Sequence, residues 1–240
     1  MSTWQDFSVF GNEFETVVEN NITYLVKKIK LTTLQNHHLH LVYQYTLNYF
    51  SKFQEAAIPF PEVKKHSLNE EEKRIRLVCK YEGSNVMQLL QEKGSSSLFH
   101  EARPWLQQIM QIFKQAQNFL LYIDPHPKNF VVNEEQKVYY VDFSPPCVPE
   151  YMQLLLDQLP GEDRTIAEKN FECFHPRVLG YHFAADLLKE NLGYQEIMKD
   201  LYDFFLRGGI ISSGYPEFLQ RAEEIKAIEL ERVRRKVFLI

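Results

Sequence analysis

Three oxygen-bearing side chains gather near the middle of this chain. Asp124 and Asn129 bracket the stretch Asp124-Pro-His-Pro-Lys-Asn129, and Asp142 follows after two short apolar runs. A carboxylate and an amide on one tight loop, with a second carboxylate just past a strand, suit phosphoryl transfer. That reaction leaves a protein little covalent work; it needs positioning, cations across the phosphates and a carboxylate beside the attacking hydroxyl. Asp124 would orient or deprotonate the hydroxyl. Asn129 and Asp142 offer the hard oxygen ligands that Mg²⁺ prefers. Alone, Asp124 and Asn129 also suit a plain polar turn, because Asp, Asn and Pro are turn formers. The position of Asp142 favours the site.

Such a site needs elements to hold it. Upstream of the small-polar run Gly94–Ser97, which reads as a linker, strand signals are frequent; downstream, helical periodicity dominates. Glu15–Glu19 and Ile22–Val26 read as a hairpin about the turn signal Asn20-Asn21. Thr33–Phe53 has a helical apolar pattern, stopped at Ile58-Pro-Phe-Pro61. Glu62–Leu68 and Arg74–Tyr81 form a second strand pair around the acidic turn Asn69–Glu72. Asn85–Glu92 is a short helix. Ala102–Leu121 is a long one, with Trp105, Ile109, Ile112, Phe113, Ala116 and Leu120 at helical spacing. Phe130–Val132 and Val138–Val141 make a hairpin inside the helical half. Glu150–Val237 reads as about four helices, broken near Pro160, Pro176, Gly193 and Gly208–Gly214.

The order of these motifs resembles the protein-kinase superfamily, where Asp-x-x-x-x-Asn precedes a hairpin and then Asp-Phe-Gly; here Asp142-Phe-Ser144 follows the hairpin. The Asp-Pro-His-Pro-x-Asn wording resembles small-molecule kinases of the aminoglycoside/choline phosphotransferase type, and also UbiB-type atypical kinases. Tyr24-Leu-Val-Lys-Lys-Ile29 resembles the strand that ends in the ATP-anchoring lysine, which makes Lys27 the phosphate-binding residue. Strand alternation puts Leu25 and Lys27 on one face and Lys28 on the other. Gly11-Asn-Glu-Phe-Glu-Thr-Val17 resembles a reduced glycine-rich loop. Arg76-Leu-Val-Cys-Lys-Tyr-Glu-Gly83, then Asn85-Val-Met-Gln-Leu-Leu90, resembles the hinge and first helix that bind adenine. There Cys79 is the gatekeeper, and Lys80, Tyr81 and Glu82 offer backbone groups to the base.

The resemblance covers about residues 7–145 and implies an α+β, two-lobed protein-kinase-like fold. Residues 1–81 would form an N-lobe of antiparallel sheet plus helix, and residues 82–240 a mainly helical C-lobe. It implies ATP and Mg²⁺ as cofactors and a hydroxyl of a small molecule as acceptor, with a protein substrate or a pseudokinase scaffold as the alternatives. Tyr122 and Ile123 stand where the family has His and Arg or Gly, and Ser144 replaces the last glycine of its metal-binding motif. No glutamate lies within Thr33–Phe53 to pair with the lysine; Gln44 is nearest to the expected place, and Glu55 lies beyond.

Other residue types carry blander readings. His37, His38 and His40 suit a solvated polar face better than a metal site, because only His37 and His40 share a helix face. His126 suits loop bracing. Arg232, Arg234, Arg235 and Lys236 suit a solvated helix end at the negative pole of the helix dipole. Most of Phe171, Phe174, Tyr181, Phe183, Tyr202, Phe204 and Phe205 belong in a core. Asp157, Asp186 and Asp200 are equal candidates to meet a cationic acceptor.

The 240 residues carry a formal charge of -5, a poor match to nucleic-acid binding. Cys79, Cys147 and Cys173 are odd in number and show no Cys-x-x-Cys spacing, so the chain is expected in a reducing compartment, the cytoplasm, without a disulfide framework. Neither a leader peptide nor a membrane span is expected from the pattern.

Overall fold

Two asparagines start the sheet. Asn20 and Asn21 both adopt left-handed backbone, at φ 52° and 63°, which asparagine tolerates better than other side chains do. They join β1 (Glu13–Glu19) to β2 (Ile22–Lys30) in a two-residue hairpin whose twist suits the strands. The computed structural model describes residues 13–31, 38–93, 98–142, 147–190 and 195–235. Gly11, His37, the run Gly94–Ser97, Phe143, Ser144, Gly193 and Lys236 therefore lie outside the described residues.

β3 (Val63–Asn69) and β4 (Arg74–Lys80) complete a four-stranded antiparallel sheet in the order β1-β2-β4-β3. Register sets its faces. Leu25, Lys27 and Ile29 of β2 stand opposite Cys79, Leu77 and Ile75 of β4. Ile29, Leu77 and Cys79 share one core with α1 (Leu39–Glu55), which turns Leu39, Val42, Tyr49, Phe50 and Phe53 inward. The other face carries cross-strand ion pairs such as Glu13–Lys30 at 2.9 Å and Glu15–Lys28 at 3.1 Å. Pairs this exposed contribute more to register than to stability.

Both long helices that flank the site end on a left-handed residue. At the end of α1, Ala57 (φ 52°) sends its N–H to Gln54 and Ile58 sends its own to Phe53. α3 (Leu98–Phe119) repeats the device: Leu120 (φ 51°) bonds to Gln117, and Leu121 bonds to Ala116 at 2.8 Å. This satisfies carbonyls that the helix leaves unpaired. It also corrects the expectation for Leu120: that side chain is exposed, and Leu121 takes the buried place instead.

β5 (Ser84–Asn85), β6 (Phe130–Val132) and β7 (Val138–Tyr140) form a second, three-stranded sheet. The approach of β6 to the end of the first sheet depends on Gly83, at φ 126°. A Cβ there would fall 2.2 Å from the Val132 carbonyl oxygen. Gly83→Ala is expected to lower unfolding stability by roughly 2–4 kcal/mol. A shift of the urea midpoint measures this; an unchanged midpoint would show that the backbone there yields freely.

α2 (Val86–Lys93) and α3 lead into the helical half. α3 grips the β6–β7 hairpin by side chains: Trp105 Nε1 donates to Gln136 Oε1 at 3.0 Å, and Gln108 Oε1 accepts the Val138 N–H at 2.9 Å. Phe113 of α3 meets Phe130, Phe183 and Phe205 at 6.0 Å centroid distances, making the aromatic centre of this half. Five helices follow among the described residues, where about four were expected: α4 (Pro149–Leu156), α5 (Gly161–Glu172), α6 (Leu179–Lys189), α7 (Gln195–Gly208) and α8 (Tyr215–Arg235). Each of the expected breaks at Pro160, Pro176 and Gly208–Gly214 separates two of them, so four breaks imply five segments. α8 lies along α6 and α5. The fold is α+β, with an antiparallel sheet first and a mostly helical remainder. Among the described residues, no helix is long and apolar enough to cross a membrane.

Candidate functional site

Alternation along β2 drives Lys27 inward and leaves Lys28 with Glu15 on the charged face. Lys27 is only 6% exposed. Burying an ammonium is costly unless it is paired. Its Nζ lies 3.1 Å from Asp142 Oδ1, although the two residues are 115 positions apart. The inward face of α1 holds Thr46, whose hydroxyl bonds to the Val42 carbonyl, and no acid. Gln44 is exposed and bonded to Asn48, and Glu55 is exposed at the helix end.

The Asp124 loop is built almost entirely from short-range bonds. Asp124 Oδ1 accepts the His126 N–H at 3.0 Å, and His126 Nδ1 accepts the Lys128 N–H at 3.1 Å. Pro127 opens a single 3-10 turn that ends with the Asn129 N–H on the His126 carbonyl. Asn129 Nδ2 donates to the Asp124 carbonyl at 3.2 Å and points to Asp142 Oδ2 at 3.5 Å. With Nδ2 committed, Asn129 Oδ1 is the atom left to meet a cation. Val141 N–H bonds to the Asn129 carbonyl, which fixes Asp142 one residue later. Two buried tyrosines anchor the loop from outside. Tyr140 Oη accepts the Asp124 N–H at 3.0 Å, and Tyr49 of α1 donates to the Tyr122 carbonyl. The Tyr140 N–H in turn reaches the Pro59 carbonyl after α1. Lys27, Asp124, Asn129 and Asp142 are thus gathered at one place, where the sheet meets the hairpin.

Electrostatics sharpen this picture. Burial raises the Asp124 carboxyl above the ordinary aspartate value; the Asp142 and Glu229 charges act the same way, against the pull of His182. Burial first, then Lys189 and Lys128, hold His126 well below the usual histidine value, so it is neutral. Its Nδ1 is an acceptor, hence the proton sits on Nε2, which faces Asp186 Oδ1 at 3.5 Å.

Beneath the loop lies a buried charge network that sequence reasoning missed. His182 Nδ1 donates to the Cys173 carbonyl at 2.7 Å and Nε2 donates to Glu229 Oε1 at 2.8 Å. Lys189 Nζ bridges Asp186 Oδ1 at 2.7 Å and Glu229 Oε2 at 2.6 Å. Ligand atoms of Asp124, His182 and Asp186 lie within 4.8 Å of one another, a spacing that a metal ion could use. The hydrogen bonds argue against it. Both ring nitrogens of His182 face acceptors, so the ring is an imidazolium with no lone pair to give. Burial pulls His182 down, but the charge and hydrogen bond of Glu229, with Asp186 and Asp124, outweigh it and raise His182 to about 9. One sequence signal existed, since His182 and Asp186 sit i,i+4 on a helix face. Glu229, 47 positions from His182, gave none.

Two backbone donors of the Lys80–Glu82 stretch are already engaged. The Lys80 N–H is spent on the Glu62 carbonyl and the Tyr81 N–H on the Thr23 carbonyl, because sheet pairing runs on past β4. Neither donor can serve a base. The side chains of Lys80 and Glu82 line a cleft of about 580 Å³ with Phe50, Phe60 and Tyr139, and Lys27, Asp124, Asn129 and Asp142 form no part of its walls. Of the acceptor-site candidates, Asp186 is buried and ion-paired. Asp157 is exposed and engaged by Gln153 and Arg164, and Asp200 is exposed. His40 is exposed and pairs with Glu70 at 3.1 Å. Arg234 and Arg235 pair with Glu231 at the solvated end of α8. Phe171, Phe174, Tyr181, Phe183, Phe204 and Phe205 are core residues. No family model matches this chain, and no curated protein matches it either.

Proposed function

We propose that this chain is an ATP- and Mg²⁺-dependent phosphotransferase of protein-kinase-like, two-lobed design, acting on a hydroxyl of a small molecule. In this reading residues 1–81 form the first lobe and residues 82–240 the second. The observation that carries it is the meeting of Lys27 with Asp142 at 3.1 Å, beside Asn129 and over the Asp124 loop. An inward lysine, a carboxylate and an amide oxygen form a donor set that fits a polyphosphate with a divalent cation.

The residues divide the work as follows. Asp142 and Asn129 Oδ1 would hold Mg²⁺, which neutralises phosphate charge when bound. Lys27 would hold a phosphate oxygen. Asp124 orients the acceptor hydroxyl and takes its proton; its raised affinity for protons suits a base better than an ordinary aspartate does. Tyr140 and His126 keep Asp124 from turning away.

Stability in ATP tests this. ATP with Mg²⁺ is expected to raise the melting temperature, ATP with EDTA is expected to raise it far less, and Asp142→Ala is expected to lose the difference. No response to any nucleotide, with or without metal, would end the phosphotransferase reading. A scaffolding pseudokinase is the second reading. Thr46, in place of an acid on the inward face of α1, favours it. Nucleotide binding without turnover against any acceptor would select it.

A further inference from the structure

The buried network has no place in the chemistry above, yet it ends at the catalytic loop. From α8, Glu229 reaches two residues of α6, His182 through Oε1 and Lys189 through Oε2. Lys189 holds Asp186 Oδ1, and the same oxygen faces Nε2 of His126. The backbone N–H of His126 then rests on Asp124 Oδ1, and its Nδ1 takes the Lys128 N–H. From the C-terminal helix to the Asp124 carboxylate the chain of polar contacts is therefore unbroken.

We infer that α8 is a positioning element for the Asp124 loop, and that Glu229 is the residue through which it acts. His182, Asp186 and Glu229 are almost fully buried, and Lys189 is partly so. Two cations, His182 and Lys189, face two carboxylates, Asp186 and Glu229. Asp186 Oδ2 has no hydrogen-bond partner, and His182 Nε2 is 3.7 Å away from it. Asp186 is thus held by Lys189 at one oxygen and stands ready for His182 at the other. Removing the Glu229 charge leaves both cations to Asp186 alone. The carboxylate then swings toward His182, and Oδ1 leaves His126. Losing that contact unbraces the ring that receives Lys128. In low dielectric such redistribution is strong, because water does not fill the deficit.

The inference rests on the phosphotransferase reading for its kinetic consequence only; its structural consequence is read separately. Glu229→Gln keeps the volume and the acceptor for His182, but it turns a donor toward Lys189. Amide hydrogen exchange in that variant is expected to accelerate by about tenfold at His126 and Lys128, with the β2 amides unchanged. Turnover is expected to fall through kcat, with KM for ATP unchanged, because Lys27, Asn129 and Asp142 are untouched. Should Glu229→Gln fail to fold, Lys189→Met, at the more exposed edge of the network, is expected to give the same loop-specific acceleration. Exchange that stays unchanged at His126 and Lys128, or that rises evenly across the protein, would reduce the network to a structural clamp and overturn the inference. If the unaltered protein shows no turnover, the phosphotransferase reading fails, while the exchange pattern still decides the role of Glu229.

Discussion

Asp124→Asn is expected to reduce ATP-dependent turnover by about a thousandfold and to leave nucleotide-induced stabilisation in place. An asparagine there keeps the oxygen that accepts the His126 N–H, so the loop can retain its shape. It cannot take a proton from a hydroxyl. The proposed phosphate and cation groups, Lys27, Asn129 and Asp142, are unaltered, so the melting shift with ATP and Mg²⁺ should match that of the parent protein. Single-turnover assays across an acceptor panel separate the two effects. Full activity in Asp124→Asn would remove Asp124 from the reaction. Loss of nucleotide response instead would make it part of the cation site.

Stability should also fall as pH rises through the neutral range, and the buried network supplies the slope. The folded value of His182, about 9, lies above the unfolded 6.5. Its contribution is therefore complete below pH 6.5 and is lost as pH rises through about 9. Asp186 slopes the same way. Burial, then the Glu229 charge, raise it to about 7 against His182 and Lys189, so it ionises later in the folded chain than in the unfolded one, and stability falls between the ordinary aspartate value and pH 7. Glu229 works at the acid end: burial pushes it up, His182 and Lys189 outweigh that and hold it well below 4.5, and its contribution is lost only as pH falls below that range. The His182 ring is fully buried, so solvent screening does not dilute the effect. The expected loss is on the order of 1 kcal/mol per pH unit between pH 6.5 and 8.5. Urea midpoints across that interval measure it, with His182→Gln expected to flatten the line. A flat profile in the parent protein would mean that His182 is not charged by Glu229.

The parts of this fold that were legible in sequence are those set by neighbouring residues. Asn20-Asn21 announces its hairpin because left-handed backbone at two successive positions selects few side chains. Alternation separated Lys27 from Lys28, and the resemblance of Tyr24–Ile29 to a lysine-bearing kinase strand chose Lys27 between them. The Asp124 loop was equally readable, since the bonds between its own residues span five positions or fewer, although its anchors from Tyr49, Tyr140, Val141 and Asp142 reach further. Leu120 was misplaced because helix periodicity continues one residue beyond the point where the chain turns left-handed, and a non-glycine at that position gives no warning. The engagement of the Lys80 and Tyr81 donors was not legible for a different reason. Whether the Tyr81 N–H is available depends on Thr23, almost sixty positions earlier, and on a strand register that composition does not report. The Glu229 network was invisible for the same reason: charge balance between α6 and α8 is decided only when the helices meet.

In the proposed reaction the Lys27–Asp142 pair would make nucleotide and metal ion depend on each other. Each side chain neutralises the other across 3.1 Å. A triphosphate arriving without metal must strip Lys27 from its carboxylate and leave that carboxylate facing like charge. A cation arriving without phosphate must compete with the Lys27 ammonium for Asp142. Entering together, they replace one neutral pairing by two. Affinity for each should therefore climb with the concentration of the other, by the same factor in both directions, and bare nucleotide or bare metal ion should gain little hold on the protein.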